Sequence, residues 1–101
     1  MNHPLQKYKE QIHALCQQHN VLELAAFGSV VTDKFSPESD IDLLVRFGDV
    51  SLDDYADNYF SFCEELEDLL NRKVDLVVDK SVRNPYFKEE IEETKQLLFA
   101  A

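Results

Sequence analysis

Apolar residues at the start of the chain recur at helical spacing. Leu5, Tyr8, Ile12 and Leu15 fall three and four residues apart, which places them on one face of a helix. His13 and His19 lie off that stripe and read as solvated polar positions. The pattern then shortens to "VLELAAF" (21–27), an apolar run that stops at Gly28-Ser29, as a strand ending in a tight turn does. "VVTDKF" (30–35) fits one or two helical turns, although Val30, Val31 and Thr32 are poor helix formers. "SPES" (36–39) carries turn chemistry.

The next run, "DIDLLVRF" (40–47), alternates. Ile41, Leu43, Val45 and Phe47 share one face of a strand, and Asp40, Asp42, Leu44 and Arg46 take the other. Gly48-Asp49 closes it. Ser51 opens a helix with Asp54 three residues on, a short form of the capping box. Tyr55, Tyr59, Phe62, Leu66 and Leu69 continue at helical spacing as a core or interface stripe, and Arg72 and Lys73 give the helix a basic end. "VDLVV" (74–78) reads as a third strand. Asn84-Pro85 is an N-cap followed by proline at the first helical position, and the last helix carries Tyr86 or Phe87, Ile91, Thr94 and Leu98 along one stripe.

The order α-β-α-β-α-β-α predicts one α/β domain over residues 1–101, with helices packed on a small sheet of about three strands. The pattern leaves the strand directions open. Charge narrows the function. The chain has 20 acidic and 10 basic residues, a formal net charge of -10, so it repels a phosphate backbone and direct nucleic-acid binding is not expected. Such a chain suits a basic protein partner or a site that gathers cations. Cys16 and Cys63 form neither a close metal-ligand pair nor a disulfide framework, and read as reduced thiols. No signal-like start and no run near the ~20 apolar residues of a membrane span is seen, which points to a soluble cytoplasmic protein with no membrane partner.

Two aspartates inside an apolar strand pattern need a reason, because carboxylates removed from water are costly unless compensated. Asp40 and Asp42 project from the same strand face, about 7 Å apart along it. Asp75 sits in the next strand between Val74 and Leu76. If those strands are neighbours, three carboxylates meet on one patch and nothing adjacent supplies three cations. Divalent ions resolve the repulsion, and hard oxygen ligands of this kind suit Mg²⁺ completed by phosphate oxygens. Gly28-Ser29 adds a turn where the backbone comes close to a ligand and where N–H groups and a hydroxyl can bind an anion. Carboxylates, metals and a phosphate cradle together make a phosphoryl- or nucleotidyl-transfer site.

The order Phe27-Gly28-Ser29, nine residues, "SDIDLLV" (39–45) and "RKVDLV" (72–77) resembles the nucleotidyltransferases of the DNA polymerase beta superfamily, most of all the minimal nucleotidyltransferases (MNT). The resemblance implies a mixed sheet flanked by helices and transfer of a nucleoside monophosphate, AMP from ATP, to a hydroxyl. Gly28 and Ser29 would hold the triphosphate. Asp40 and Asp42 would bind two Mg²⁺ ions, and Asp75 would share one of them and help deprotonate the attacking hydroxyl. It also implies a HEPN-domain toxin as partner, a tyrosine of that toxin as acceptor, and an antitoxin role. The small chain leaves little surface for a substrate groove, so a second subunit, a HEPN toxin or another copy in a homo-oligomer, would help.

One departure stands out. Relatives of this kind commonly carry basic residues after the glycine-serine pair, where this chain has Val30-Val31-Thr32; Lys34 is the nearest cation, and Arg46 is a substitute on the aspartate face. The alternative function is therefore a catalytically weak binding module that neutralises its partner by occlusion.

Overall fold

Alternation along one strand divides the molecule. In the computed structural model, which describes residues 5–32, 36 and 38–101, strand β2 spans Ile41–Phe47. Its Ile41, Leu43 and Val45 are at most 1% exposed and face the main core. Asp42 and Leu44 take the reverse face, as period two demands.

Four strands form the sheet, in the order β3-β2-β1-β4. Strand β1 (Val21–Phe27) runs antiparallel to β2, β3 (Val74–Val78) runs parallel to β2, and β4 (Gln96–Ala100) pairs antiparallel with the other edge of β1. A register shift between Val21 and Glu23 in β1 lets both Val21 and Leu24 reach the main core.

Two helices close the core face. Helix α1 (Lys9–Gln18), preceded by a 3-10 turn at Gln6–Tyr8, contributes Ile12 and Cys16. Helix α2 (Leu52–Leu70) makes the crossover that parallel β2 and β3 require, and buries Phe62, Leu66 and Leu70. Its start is fixed as the sequence suggests: the Ser51 hydroxyl accepts from the Asp54 amide at 3.3 Å and donates to the Asp54 carboxylate at 2.9 Å. Its end comes at Asn71, in the left-handed conformation.

The reverse face is covered by helix α3 (Pro85–Thr94). The Asn84 side chain accepts from the amides of Tyr86 (2.9 Å) and Phe87 (3.3 Å), and Pro85 occupies the first turn. Ile91 is the buried residue of this helix and packs with Phe27 and Leu44 in a small second cluster.

Three expectations are corrected. The sheet has four strands rather than about three, because the last helical stripe ends at Thr94 and Leu98 belongs to β4. Lys95 turns extended there, and its ammonium lies 3.1 Å from Glu92 of α3 and 3.6 Å from Glu23 of β1. His19 is not solvated: it is 7% exposed, with Nδ1 2.8 Å from the Leu15 carbonyl and Nε2 2.9 Å from the Glu65 carboxylate. His13 is half-buried, its Nε2 3.0 Å from the Leu98 carbonyl. Cys16 and Cys63 are free thiols, and burial pushes the Cys16 pKa up to about 12. Among the described residues no helix is long and apolar enough to cross a membrane.

Candidate active site

The parallel register of β2 and β3 pairs Asp42 with Asp75, side by side on the reverse face. Neighbouring strands lie ~4.8 Å apart, so these carboxylates feel each other's charge. On the other side of β2, Asp42 pairs with Phe27, the last residue of β1, and Gly28 follows. Phe27, Asp42 and Asp75 therefore form a row across three strands, with Gly28 directly after its first member. Asp40 precedes β2 and is exposed, as is Asp75, whereas Asp42 is half-buried.

The electrostatics follow from this row. Burial pushes the Asp42 carboxyl above the usual carboxylate range, and the charges of Asp75 and then Asp40 push it further the same way. The approach to Asp40 is held from behind: the Arg72 guanidinium donates to the carbonyls of Ser36 (3.0 Å) and Ser39 (2.8 Å), and the Ile41 amide donates to the Lys73 carbonyl at 3.0 Å.

Gly28 is fixed on two counts. Its φ is +72°, where side chains are strained, and a Cβ there would run into the Asp42 carboxylate. It opens a 3-10 turn, Gly28–Val31, in which the Ser29 carbonyl accepts from the Thr32 amide (3.0 Å) and hydroxyl (2.9 Å). This turn follows the end of β1 directly and places Ser29 next to Gly28.

The structure thus brings together Gly28, Asp42 and Asp75, with Asp40 at the start of β2 and Ser29 next to Gly28. It does not bring Arg46 in. That side chain sits four residues beyond Asp42, about 13 Å along the strand, and lies 3.6 Å from Glu23. Lys34 lies outside the described residues.

Magnesium fits the donor chemistry without a ready-made cage. Among the described residues no three His, Cys, Asp or Glu side chains already surround a single point. A Mg²⁺ site does not need that, since it is commonly built from one or two carboxylates, waters and substrate phosphates. A half-buried Asp42 whose charge is opposed by two neighbouring carboxylates is the group such a cation would relieve.

Sequence reading missed the wall opposite the aspartates. A cavity of about 340 Å³ lies between the carboxylate row and α3, with Asp42 and Asp75 on one side and Phe87, Glu90 and Thr94 on the other. The signal for it was the α3 spacing 87, 90, 94, which places those three on one helix face.

Comparison with known proteins bears on the family and the fold. The pattern of the nucleotidyltransferase domain family matches residues 8–98. A Methanocaldococcus jannaschii protein named as a protein adenylyltransferase is 38% identical over 89 residues, covering 88% of this chain and 85% of its own length. A solved minimal nucleotidyltransferase superposes with a TM-score of 0.76 at 27% identity, over 91% of this chain and 90% of that one. A chain of the Shewanella oneidensis complex between a tri-AMPylated HEPN toxin and an MNT antitoxin shares the fold. Its TM-score is 0.66 at 19% identity, over 95% of this chain and 72% of that one.

Proposed function

The chain belongs to the nucleotidyltransferase domain family, and on that premise we propose that it transfers AMP from ATP to a tyrosine hydroxyl of a HEPN toxin, acting in the cytoplasm as the antitoxin. One observation carries the reading: Asp42 and Asp75 are register partners on the face where Gly28 ends β1. The name of the archaeal relative supports a protein acceptor, and the fold shared with a toxin–antitoxin complex supports the partner.

In this reading the tasks divide among five residues. Gly28 and Ser29 hold the triphosphate at the end of β1. Asp40 and Asp42 are the ligands for two Mg²⁺ ions, with Asp75 sharing one. When bound, these ions supply positive charge for the incoming and leaving oxygens of an in-line displacement. The tyrosine oxygen bonds to the α-phosphorus as the bond to the bridging oxygen breaks, and pyrophosphate leaves. The hydroxyl proton passes to the Asp75 carboxylate. Asp75 is exposed on β3, an edge strand, so a macromolecular acceptor can reach it.

Incubation with α-labelled ATP, Mg²⁺ and the HEPN protein encoded beside this chain tests the proposal. Label moves to the HEPN protein with the wild-type chain and not with Asp42→Asn. No transfer, or equal transfer by the variant, rejects it. Occlusion without chemistry is the second reading, favoured by Val30-Val31-Thr32 beside the phosphate turn, where a cationic side chain is missing. An Asp40/Asp42 double variant that still binds the toxin but no longer protects against it excludes occlusion as the mechanism.

A further inference from the structure

Helix α3 builds a wall of the site that neither phosphate nor metal binding uses. Ile91, 2% exposed, anchors the helix on Phe27 and Leu44. Phe87 meets Phe27 edge to face, with centroids 6.0 Å apart and planes at 72°. Even so, Phe87 stays 41% exposed, a large cost in apolar surface for a ring that borders a cavity. Glu90 and Thr94 follow on the same helix face, so α3 presents a ring, a carboxylate and a hydroxyl in one stripe. The Thr94 hydroxyl donates to the Glu90 carbonyl at 2.7 Å, which leaves its oxygen free to accept. Among the described residues no cation pairs with the Glu90 carboxylate.

These features select a type of ligand. The Glu90 carboxylate on the far wall has no metal ligand assigned beside it and repels phosphate, so the triphosphate belongs at the Gly28 edge of the cavity and not against α3. Its polar groups are acceptors, which suits a neutral group rich in N–H and O–H donors. Its apolar surface, from Phe27, Val77, Phe87 and Ile91, suits a flat ring. At about 340 Å³ the cavity lies within the ~300–1,000 Å³ of small-molecule sites. It also borders Gly28, on the donor's phosphate side, while the open edge beyond Asp75 remains for the acceptor.

We propose that Phe87, Glu90 and Thr94 form the nucleoside subsite of the donor, with the base against Phe87 and Ile91 and its donors, or those of the ribose, hydrogen-bonded to Glu90. This assignment rests on the nucleotidyl-transfer reading and names residues that select its substrate.

Calorimetric titration with Mg²⁺-ATP and, separately, with Mg²⁺-tripolyphosphate tests it without any turnover. Phe87→Ala should weaken ATP binding about 10-fold, the size of one lost aromatic–base contact, and leave tripolyphosphate affinity unchanged. Glu90→Gln should weaken ATP several-fold with the same selectivity. Phe87→Leu, which keeps apolar bulk without the ring, should fall between, and it serves as the readout if the alanine variant does not fold. Wild-type ATP affinity in Phe87→Leu and Glu90→Gln overturns the subsite, as does an equal loss of tripolyphosphate binding. Intact ATP binding with a raised KM for the tyrosine-bearing partner overturns it in favour of an acceptor site. A wild-type chain that binds ATP and tripolyphosphate, with variants that match it, defeats this inference alone; a wild-type chain that binds neither defeats the nucleotidyl-transfer reading as well.

Discussion

Leu43 and Asp42 are consecutive residues of β2, yet they belong to opposite faces with different tasks. Leu43 has no exposed surface and packs beneath α1 and α2. Asp42 is half-buried against Asp75 and under a single helix. Among the described residues sixteen buried side chains make up the core cluster on the first face and three make up the cluster on the second. Stability therefore comes mainly from one side, and the thin cover of the other leaves room for charge and ligand. A strand with period two makes this division at no cost in chain length.

The largest expected effect lies on the closed face. Leu43→Ala should cost about 2–5 kcal/mol, since a fully enclosed leucine leaves a cavity that its neighbours cannot fill. Leu44→Ala, one residue on but in the small cluster, should cost clearly less because the open face relaxes around it. Urea midpoints with unchanged m-values give both numbers. An equal or larger loss at Leu44 would break the proposed asymmetry between the faces.

Gly28→Ala comes next. The left-handed backbone costs about 1–2 kcal/mol for a side chain, and the new Cβ must displace the Asp42 carboxylate. Transfer activity should fall together with melting temperature, whereas a variant in the main core lowers stability alone. Asn84→Ala removes an acceptor of two amides and should cost about 1 kcal/mol. Hydrogen exchange should quicken in α3 amides while α1 and α2 stay protected, because α3 is anchored through few buried residues.

Much of this architecture was legible in the residues, for local reasons. The faces of β2 followed from alternation, and both caps, Ser51 and Asn84, from side chains that serve orphan amides. The convergence of Asp42 and Asp75 needed only that β2 and β3 be neighbours. Strand β4 was not legible: Ile91, Thr94 and Leu98 satisfy helical spacing, and neither glycine nor proline marks the break at Lys95. What ends the helix is the unpaired edge of β1, whose backbone groups need partners from a distant part of the chain. His19 was misread for a related reason, since its partner Glu65 lies on another helix. The α3 wall of the site likewise depends on where Ile91 docks, which no local pattern states.

The smallest expected stability change carries the opposite sign. Burial and the charges of Asp75 and Asp40 raise the folded-state pKa of Asp42 above its unfolded value. Protonation is thus favoured by folding, and the resulting stability is full below the unfolded value and lost as pH rises through the folded one. At neutral pH the ionised side chain is a burden on the metal-free protein. Asp42→Asn should therefore gain roughly 0.5 kcal/mol at pH 7, the scale of a solvent-screened like-charge cross-strand pair, and the gain should shrink in acid. The same variant should lose transfer activity by about 10²-fold or more, as when one group that stabilises transition-state charge is removed. Mg²⁺-ATP reverses the ranking: a ligand of the folded state adds roughly 2.7 kcal/mol at a hundred-fold excess over Kd, and the wild type should receive more of this than the variant. Melting curves at pH 7 and at pH 4, each with and without Mg²⁺-ATP, measure the stability changes, and label transfer to the partner measures the activity. A variant less stable than wild type without ligand would mean that Asp42 supports the fold, and the contrast between the two faces of β2 would be wrong at its central residue.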